Sequence, residues 1–224
     1  VFATRFNVNA ILFQKGSLET KVNKYLHLTL MKKLENIKLS FSAFIGSLTC
    51  LKYAFNIMKA TDRHHWTLSS AAESGSLACL KYAFEVIKAT DVRNFTLSSA
   101  AGSGNKSCLK YAHNIIKATD NNWTLCNAAR SGSLDCLKYA FNIIKATDVR
   151  NYTLSSAAGS GSLACLKYAF NVIGATDIRN DTLSFAARSG SLDCLKYAHE
   201  VIKATDDNFT LSSAAGSGSP ECLK

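Results

Sequence analysis

The chain has 224 residues, 47% of them hydrophobic, with a single proline and a formal net charge of +10. That composition excludes a disordered chain, and no apolar run approaches the roughly 20 residues needed to span a bilayer. The charge is uneven: residues 1–45 hold seven basic and two acidic side chains, giving +5, and the other four-fifths of the chain holds the remaining +5. The field over most of the chain is therefore mild, which weakens an electrostatic case for nucleic acid.

Taken in order, the opening stretch from Val1 to Phe13 is broken by Arg5, Asn7 and Asn9 and lacks the charged-then-apolar order of a secretory signal. Gly16-Ser17-Leu18 then begins a degenerate copy of a phrase that becomes regular from Gly46. From there a cysteine recurs at Cys50, Cys79, Cys108, Cys136, Cys165, Cys194 and Cys222, with gaps of 29, 29, 28, 29, 29 and 28 residues. Fixed-period self-similarity is the signature of a solenoid, in which each unit buries its apolar face against its neighbours. The expected division is a degenerate N-terminal repeat or cap over 1–45, six repeats over 46–217, and the start of a further repeat over 218–224. With no initiator methionine and a stop partway through a copy, the chain reads as a piece of a longer array.

Within a unit the local chemistry predicts two helices. The first is short, Thr153-Leu154-Ser155-Ser156-Ala157-Ala158-Gly159-Ser160, with Thr153 or the preceding Asn151 as its cap and Gly161 at the left-handed position past its end. Ser162 caps the second helix; in the last copy Pro220 and Glu221 suit the first turn, as Asp135 and Asp193 do in theirs. Leu163, Cys165, Leu166, Ala169, Phe170 and Ile173 recur at intervals of three and four, one broad apolar stripe. A sister copy continues to about Lys145-Ala146, and Thr147-Asp148-Val149-Arg150-Asn151 forms a polar connection.

The phrase Ala157-Ala158-Gly159-Ser160-Gly161-Ser162-Leu163-Ala164-Cys165-Leu166-Lys167-Tyr168-Ala169 resembles the ankyrin repeat core: paired alanines, two variable residues, a glycine and an amphipathic helix. Asn122-Trp123-Thr124-Leu125-Cys126-Asn127-Ala128-Ala129 with Cys136-Leu137-Lys138-Tyr139-Ala140 is similar to the short ankyrin variants of protist and giant-virus arrays. The usual unit is about 33 residues, so these units are four or five shorter, and the loss falls in the connection. The resemblance implies an all-α, helix-turn-helix repeat solenoid with reduced or absent β-hairpin fingers, serving as a non-catalytic protein-binding scaffold.

Several patterns invite a sharper chemistry. The cysteine row lacks the close spacings of a zinc site, and equivalent residues in stacked helices stand roughly 8–10 Å apart, too far to bridge as disulfides. Buried reduced thiols are expected, which favours an intracellular, cytoplasmic setting. Cys126 differs, replacing a serine of the sister copies. Gly159-Ser160-Gly161-Ser162-Leu163-Ala164 satisfies a dinucleotide-loop pattern, but a helix rather than a strand precedes it. His113 and His199 take a position held elsewhere by phenylalanine. No nucleophile–base set stands out, so no catalytic residue, cofactor or metal is assigned. The Asn-x-Thr triplets starting at Asn94, Asn122, Asn151, Asn180 and Asn208 are read as capping.

Two surfaces remain. Lys52, Lys81, Lys110, Lys138, Lys167 and Lys196 each precede a tyrosine, and a second row follows Lys59, Lys88, Lys117, Lys145 and Lys203, broken by Gly174. Such rows could track a nucleic acid or acidic polymer; the commoner role is a solvated helix face. The copies differ most in the connection, at Arg63, His64, His65, Trp66, Arg93, Phe95, Trp123, Arg150, Tyr152, Arg179 and Phe209, and at a short-helix slot holding Arg130 and Arg188. Arg and aromatic residues there are favoured interface types, so these positions are the expected partner-binding set.

Overall fold

The computed structural model describes residues 39–62, 65–148, 151–176, 178–206 and 208–223. The degenerate copy beginning at Gly16 lies outside them. Short helices α1 (Leu39–Phe44), α3 (Thr67–Glu73), α5 (Thr96–Gly102), α7 (Thr124–Arg130), α9 (Thr153–Gly159), α11 (Thr182–Arg188) and α13 (Thr210–Ser217) alternate with longer ones. The longer ones begin as α2 (Leu48–Asn56), α4 (Leu77–Glu85), α6 (Lys106–Tyr111), α8 (Leu134–Tyr139), α10 (Leu163–Tyr168) and α12 (Leu192–Tyr197). Each short helix packs on the next short helix and each long helix on the next long one. The protein is an all-helical repeat solenoid, with no strand among the described residues. The stack takes in α1, inside the stretch expected to be only a degenerate cap: α1 packs on α3 as α3 packs on α5.

Small residues make the close stacking possible. The alanine pairs Ala71-Ala72, Ala100-Ala101, Ala128-Ala129, Ala157-Ala158 and Ala186-Ala187 are wholly buried, because short side chains let helix backbones approach. Leu80, Leu109, Leu137 and Leu166 and the thiols of Cys79, Cys108, Cys136, Cys165 and Cys194 fill the layer between short and long helices, each at 0% exposure.

The expected punctuation is present. Ser76, Ser133, Ser162 and Ser191 each accept a backbone N–H from the cysteine three residues on, and Asn105 does the same for Ser107 and Cys108. Gly161 adopts φ +72°, as the left-handed turn after the short helix requires.

Two assignments change. In the units that open with Asp62, Asp91 and Asp148 the first helix is capped by neither its Thr nor the recurring Asn before it. Asp91, at the start of the connection, accepts both the Phe95 and the Thr96 N–H at 3.0 Å, and Asp62 and Asp148 serve Thr67 and Thr153 in the same way. Where the connection is one residue shorter the task is divided. Asn121 accepts the Trp123 N–H, and Asp120 reaches across to Thr147 of the next unit. The recurring asparagines stand in the left-handed region instead, with φ of 55° at Asn94, 64° at Asn122 and 56° at Asn151, a conformation Asn tolerates better than most residues.

The second lysine row is likewise a backbone position and not part of a regular helix face. From α6 onward the long helix widens in its last turn, over Ala112–Ile116 in that unit. The N–H groups of Lys117 and Ala118 both donate to the Ala112 carbonyl. Lys59, Lys88, Lys117, Lys145 and Lys203 close their helices with φ between 53° and 59°, and Gly174 does so at 68°.

Candidate functional site

The connections and the N-termini of the short helices form one edge of the stack, where backbone geometry sets each side chain. The residue opening a short helix is Trp66, Phe95, Trp123, Tyr152, Asp181 or Phe209. Trp66 stacks on Phe95 with ring centres 5.7 Å apart and planes 8° from parallel, and Trp123 stacks on Tyr152 at 5.8 Å and 15°. The Arg93 guanidinium lies 4.7 Å from the centre of the Trp66 ring and that of Arg179 lies 4.8 Å from Tyr152. Each arginine comes from the unit after the ring it covers. Cation–aromatic contacts of this kind contribute about 0.5–1 kcal/mol at exposed sites. They also hold guanidinium and ring in fixed positions at the surface.

The structure thus brings Trp66, Arg93 and Phe95 together, and Trp123, Tyr152 and Arg179 together. His65 stands beside them with φ 55°, its Nδ1 2.8 Å from the Thr90 Oγ1 of the next connection. Arg63, His64 and Arg150 lie outside the described residues. Arg130 and Arg188 belong to a different feature, on the short helices.

There, the variable slot of one unit faces the fourth residue of the next short helix. A Cβ built on Gly102 would stand 3.6 Å from the Asn127 Cβ, and one built on Gly159 would stand 2.9 Å from the Phe185 Cδ1. At Gly159 the large Phe185 leaves no room for a Cβ, whereas at Gly102 the Asn127 side chain stands at ordinary contact distance. Where the next helix carries Ser99, Ser156 or Ser213, the slot holds Glu73, Arg130 or Arg188. At Gly159 the residue at this slot is therefore set by packing between units. The sequence did hold that signal, but only in pairs of positions some 25 residues apart, Gly102 with Asn127 and Gly159 with Phe185. Between α11 and α13 the surface opens into a groove of about 500 Å³ lined by Asp181, Phe185, Arg188, Phe209 and the small residues Ser184, Ser212, Ser213 and Gly216.

The lysine–tyrosine rows bond one unit to the next. Lys52, Lys81, Lys110, Lys138 and Lys167 each place Nζ 5.5–5.9 Å from the ring centre of the following unit's tyrosine. Phe55, Phe84, His113, Phe141 and Phe170 meet the same rings edge to face. Asn56, Asn142 and Asn171 donate to the tyrosine hydroxyls at 2.9–3.0 Å. The Tyr111 hydroxyl donates to Glu85 at 2.6 Å; burial and that carboxylate push its pKa up to about 12.

Burial pushes the thiols of Cys79, Cys108, Cys136, Cys165 and Cys194 above their ordinary value, Cys108 to about 11. Cys126 is also buried and reaches about 11, chiefly through burial and then the nearby Asp148 charge. Its thiol donates to the Trp123 carbonyl, as the serines of sister units do in theirs. These are protonated, poorly nucleophilic sulfurs at neutral pH. Among the described residues no three His, Cys, Asp or Glu side chains converge as a metal-ligand set, and no helix is long and apolar enough to cross a membrane. The chain matches no protein-family model and no curated protein sequence.

Proposed function

We propose that this solenoid is a non-catalytic scaffold of the ankyrin-repeat type that binds protein partners along the edge formed by the connections and short helices. The observation that carries this reading is the placement of arginine–aromatic stacks at that edge, with Trp66 37% exposed and Arg93 and Arg179 at the surface. These residue types dominate interface energetics, and held rigid they lose little entropy on binding. The shortened connections, from which no strand projects among the described residues, fit a reading in which recognition uses this edge. The row of buried free thiols supports a reducing, cytoplasmic setting.

Binding of nucleic acid through the lysine–tyrosine rows has less support, because each tyrosine ring between Tyr82 and Tyr197 already carries a lysine of the preceding unit. The test is capture of a partner by the wild-type array and by a variant with Arg63, Trp66, Arg93 and Arg150 changed to alanine. Capture should weaken while the helical circular dichroism is kept; equal capture by both proteins rejects the edge.

A further inference from the structure

The two arginine–aromatic stacks of the edge differ in one respect. Arg93-Asn94-Phe95 and Arg179-Asn180-Asp181 occupy the same positions of their units, and their backbones agree. Asn94 and Asn180 stand at φ 55° and 57°, and the residues after them, which open the short helices, at φ −91° and −101°. Both guanidiniums lie over the ring that opens the preceding short helix, at 4.7 and 4.8 Å. Arg179 also has a carboxylate beside it: its Nε stands 3.7 Å from Asp181 Oδ2. At Arg93 the corresponding residue is Phe95, which offers none. Among the described residues no ion pair and no hydrogen bond reaches the Arg93 side chain, whose guanidinium meets the Trp66 ring alone.

A guanidinium presents five N–H donors in a planar fork that fits a carboxylate. Laid on a ring it has already lost rotamer freedom, so an incoming acid need not freeze it. The sister stack shows within the chain which group completes such an arrangement.

The surrounding charge suits an anion. From Lys59 to Trp66 and from Lys88 to Phe95 the two connections hold four cations, Lys59, Arg63, Lys88 and Arg93, against two carboxylates, Asp62 and Asp91, a net +2. Both carboxylates are turned onto helix N–H groups: Asp62 accepts from Trp66 and Thr67, and Asp91 from Phe95 and Thr96. Glu85 takes the Tyr111 hydroxyl on the long-helix side, and Glu73 stands at the far end of α3. The next connection adds Lys117 and Asp120, which cancel. Val92 beside Arg93 is exposed, as Ile178 is beside Arg179, and gives the cation an apolar neighbour. A cation with an apolar flank selects an acid with an apolar flank.

We propose that Arg93, held on the Trp66 ring, takes the carboxylate of an aspartate or glutamate of a partner protein, with an apolar neighbour of that acid resting on Val92. This rests on the reading of the chain as a protein-binding scaffold and states what chemistry its edge selects. At the sister stack Asp181 supplies the carboxylate from within the chain, which closes Arg179 to such a partner.

The probe is the peptide acetyl-Gly-Leu-Glu-Leu-Gly-amide, whose glutamate is its one carboxylate, titrated into the isotope-labelled full chain and followed by NMR. The chain has two tryptophans, so the two indole N–H signals report Trp66 and Trp123 separately. The Trp66 signal is expected to move with a Kd of about 1 mM, and the Trp123 signal to stay in place. Phe95→Asp, which supplies the carboxylate in cis, should weaken binding about fivefold, the worth of one exposed charge contact. Arg93→Gln, at an exposed position, should do the same by a second route, as should glutamine in place of the peptide glutamate. Asp181→Phe should open the sister stack, so that the Trp123 signal moves as well. No movement of the Trp66 signal at about 10 mM peptide, or equal binding of the glutamine peptide, overturns the contact. Peptide binding unchanged in Phe95→Asp and Arg93→Gln, with partner capture lost in the four-alanine variant, overturns the contact and leaves the edge standing. Peptide binding weakened in Arg93→Gln, with capture unaffected by the four-alanine variant, leaves the contact standing and removes the edge.

Discussion

Substituting Gly159 is the sharpest test of how the units are matched. Alanine in place of a helical glycine ordinarily stabilises by roughly 0.5–1 kcal/mol. At Gly159 the new Cβ would stand 2.9 Å from Phe185 Cδ1, with the Phe185 Cβ and Cγ at 3.5 and 3.6 Å. Carbon atoms attract best at about 3.5–4.0 Å, so the ring must rotate away from the helix it lies on. Overpacking of this kind costs about 1–3 kcal/mol. Gly159→Ala should then be destabilising by about 0–2 kcal/mol once its backbone gain is subtracted. In a Phe185→Ser background the obstacle is gone, and the same alanine should stabilise by about 0.5–1 kcal/mol. Urea titrations of wild type, the two single variants and the double variant, followed by circular dichroism, give the coupling energy. Gly102→Ala is the control: its Cβ would meet the Asn127 Cβ at an ordinary 3.6 Å, so it should be neutral or stabilising. A Gly159→Ala effect that is stabilising and equal in both backgrounds, within about 0.5 kcal/mol, would refute the steric matching.

Asp91→Ala removes the acceptor for two N–H groups at the start of α5 and should cost about 1–2 kcal/mol in chemical denaturation. Lys117→Gly relieves a non-glycine residue at φ 59° and should raise the urea midpoint, a net gain of about 0.5–1 kcal/mol after glycine's greater unfolded-state entropy; Gly174→Lys should do the reverse. Stability should also fall on the alkaline side. Burial raises the Cys108 thiol from 9.0 to about 11, so across that window the unfolded chain releases a proton the folded chain retains. The stabilisation is complete below pH 9 and lost as pH rises through the folded value, by about 2–3 kcal/mol for this thiol. Comparing urea midpoints near pH 8 and near pH 10.5 for wild type and Cys108→Ala should show a smaller alkaline loss in the variant.

The helices were legible because their signals are local. Ser76 caps α4 from three residues away, Gly161 turns the chain at its own φ, and the stripe from Leu163 to Ile173 needs only helical spacing. The connections were harder to read, for a physical reason. Asp91 reaches Thr96 only after the intervening residues fold back through Asn94 in the left-handed region, so the cap and its helix are separated by a turn that spacing does not reveal. The lysine row misled because lysine is an uncommon left-handed residue. Gly174, the break in that row, was its one clue. The variable positions on the edge were picked out by the differences between copies. Their stacking, Trp66 on Phe95 and Trp123 on Tyr152, depends on how far each unit is rotated against the next, which a single unit does not encode.

The matching of large to small residues between short helices constrains how such an array can lengthen or shorten. From Glu73 onward the slot alternates bulky and bare: Glu73, Gly102, Arg130, Gly159, Arg188, Gly216. Excising one unit would set Arg130 against Phe185, or Gly102 against Ser156, a collision in one case and an unfilled gap in the other. Excising two neighbouring units restores a bulky residue against serine, or glycine against a large side chain. Between Glu73 and Gly216 the array therefore has parity, although Phe44 before it is bulky like Glu73. In this stretch the packing module is the pair, 57 residues from Trp66 to Trp123 and 58 from Trp123 to Asp181, and removing two neighbouring units from it should disturb stability less than removing one.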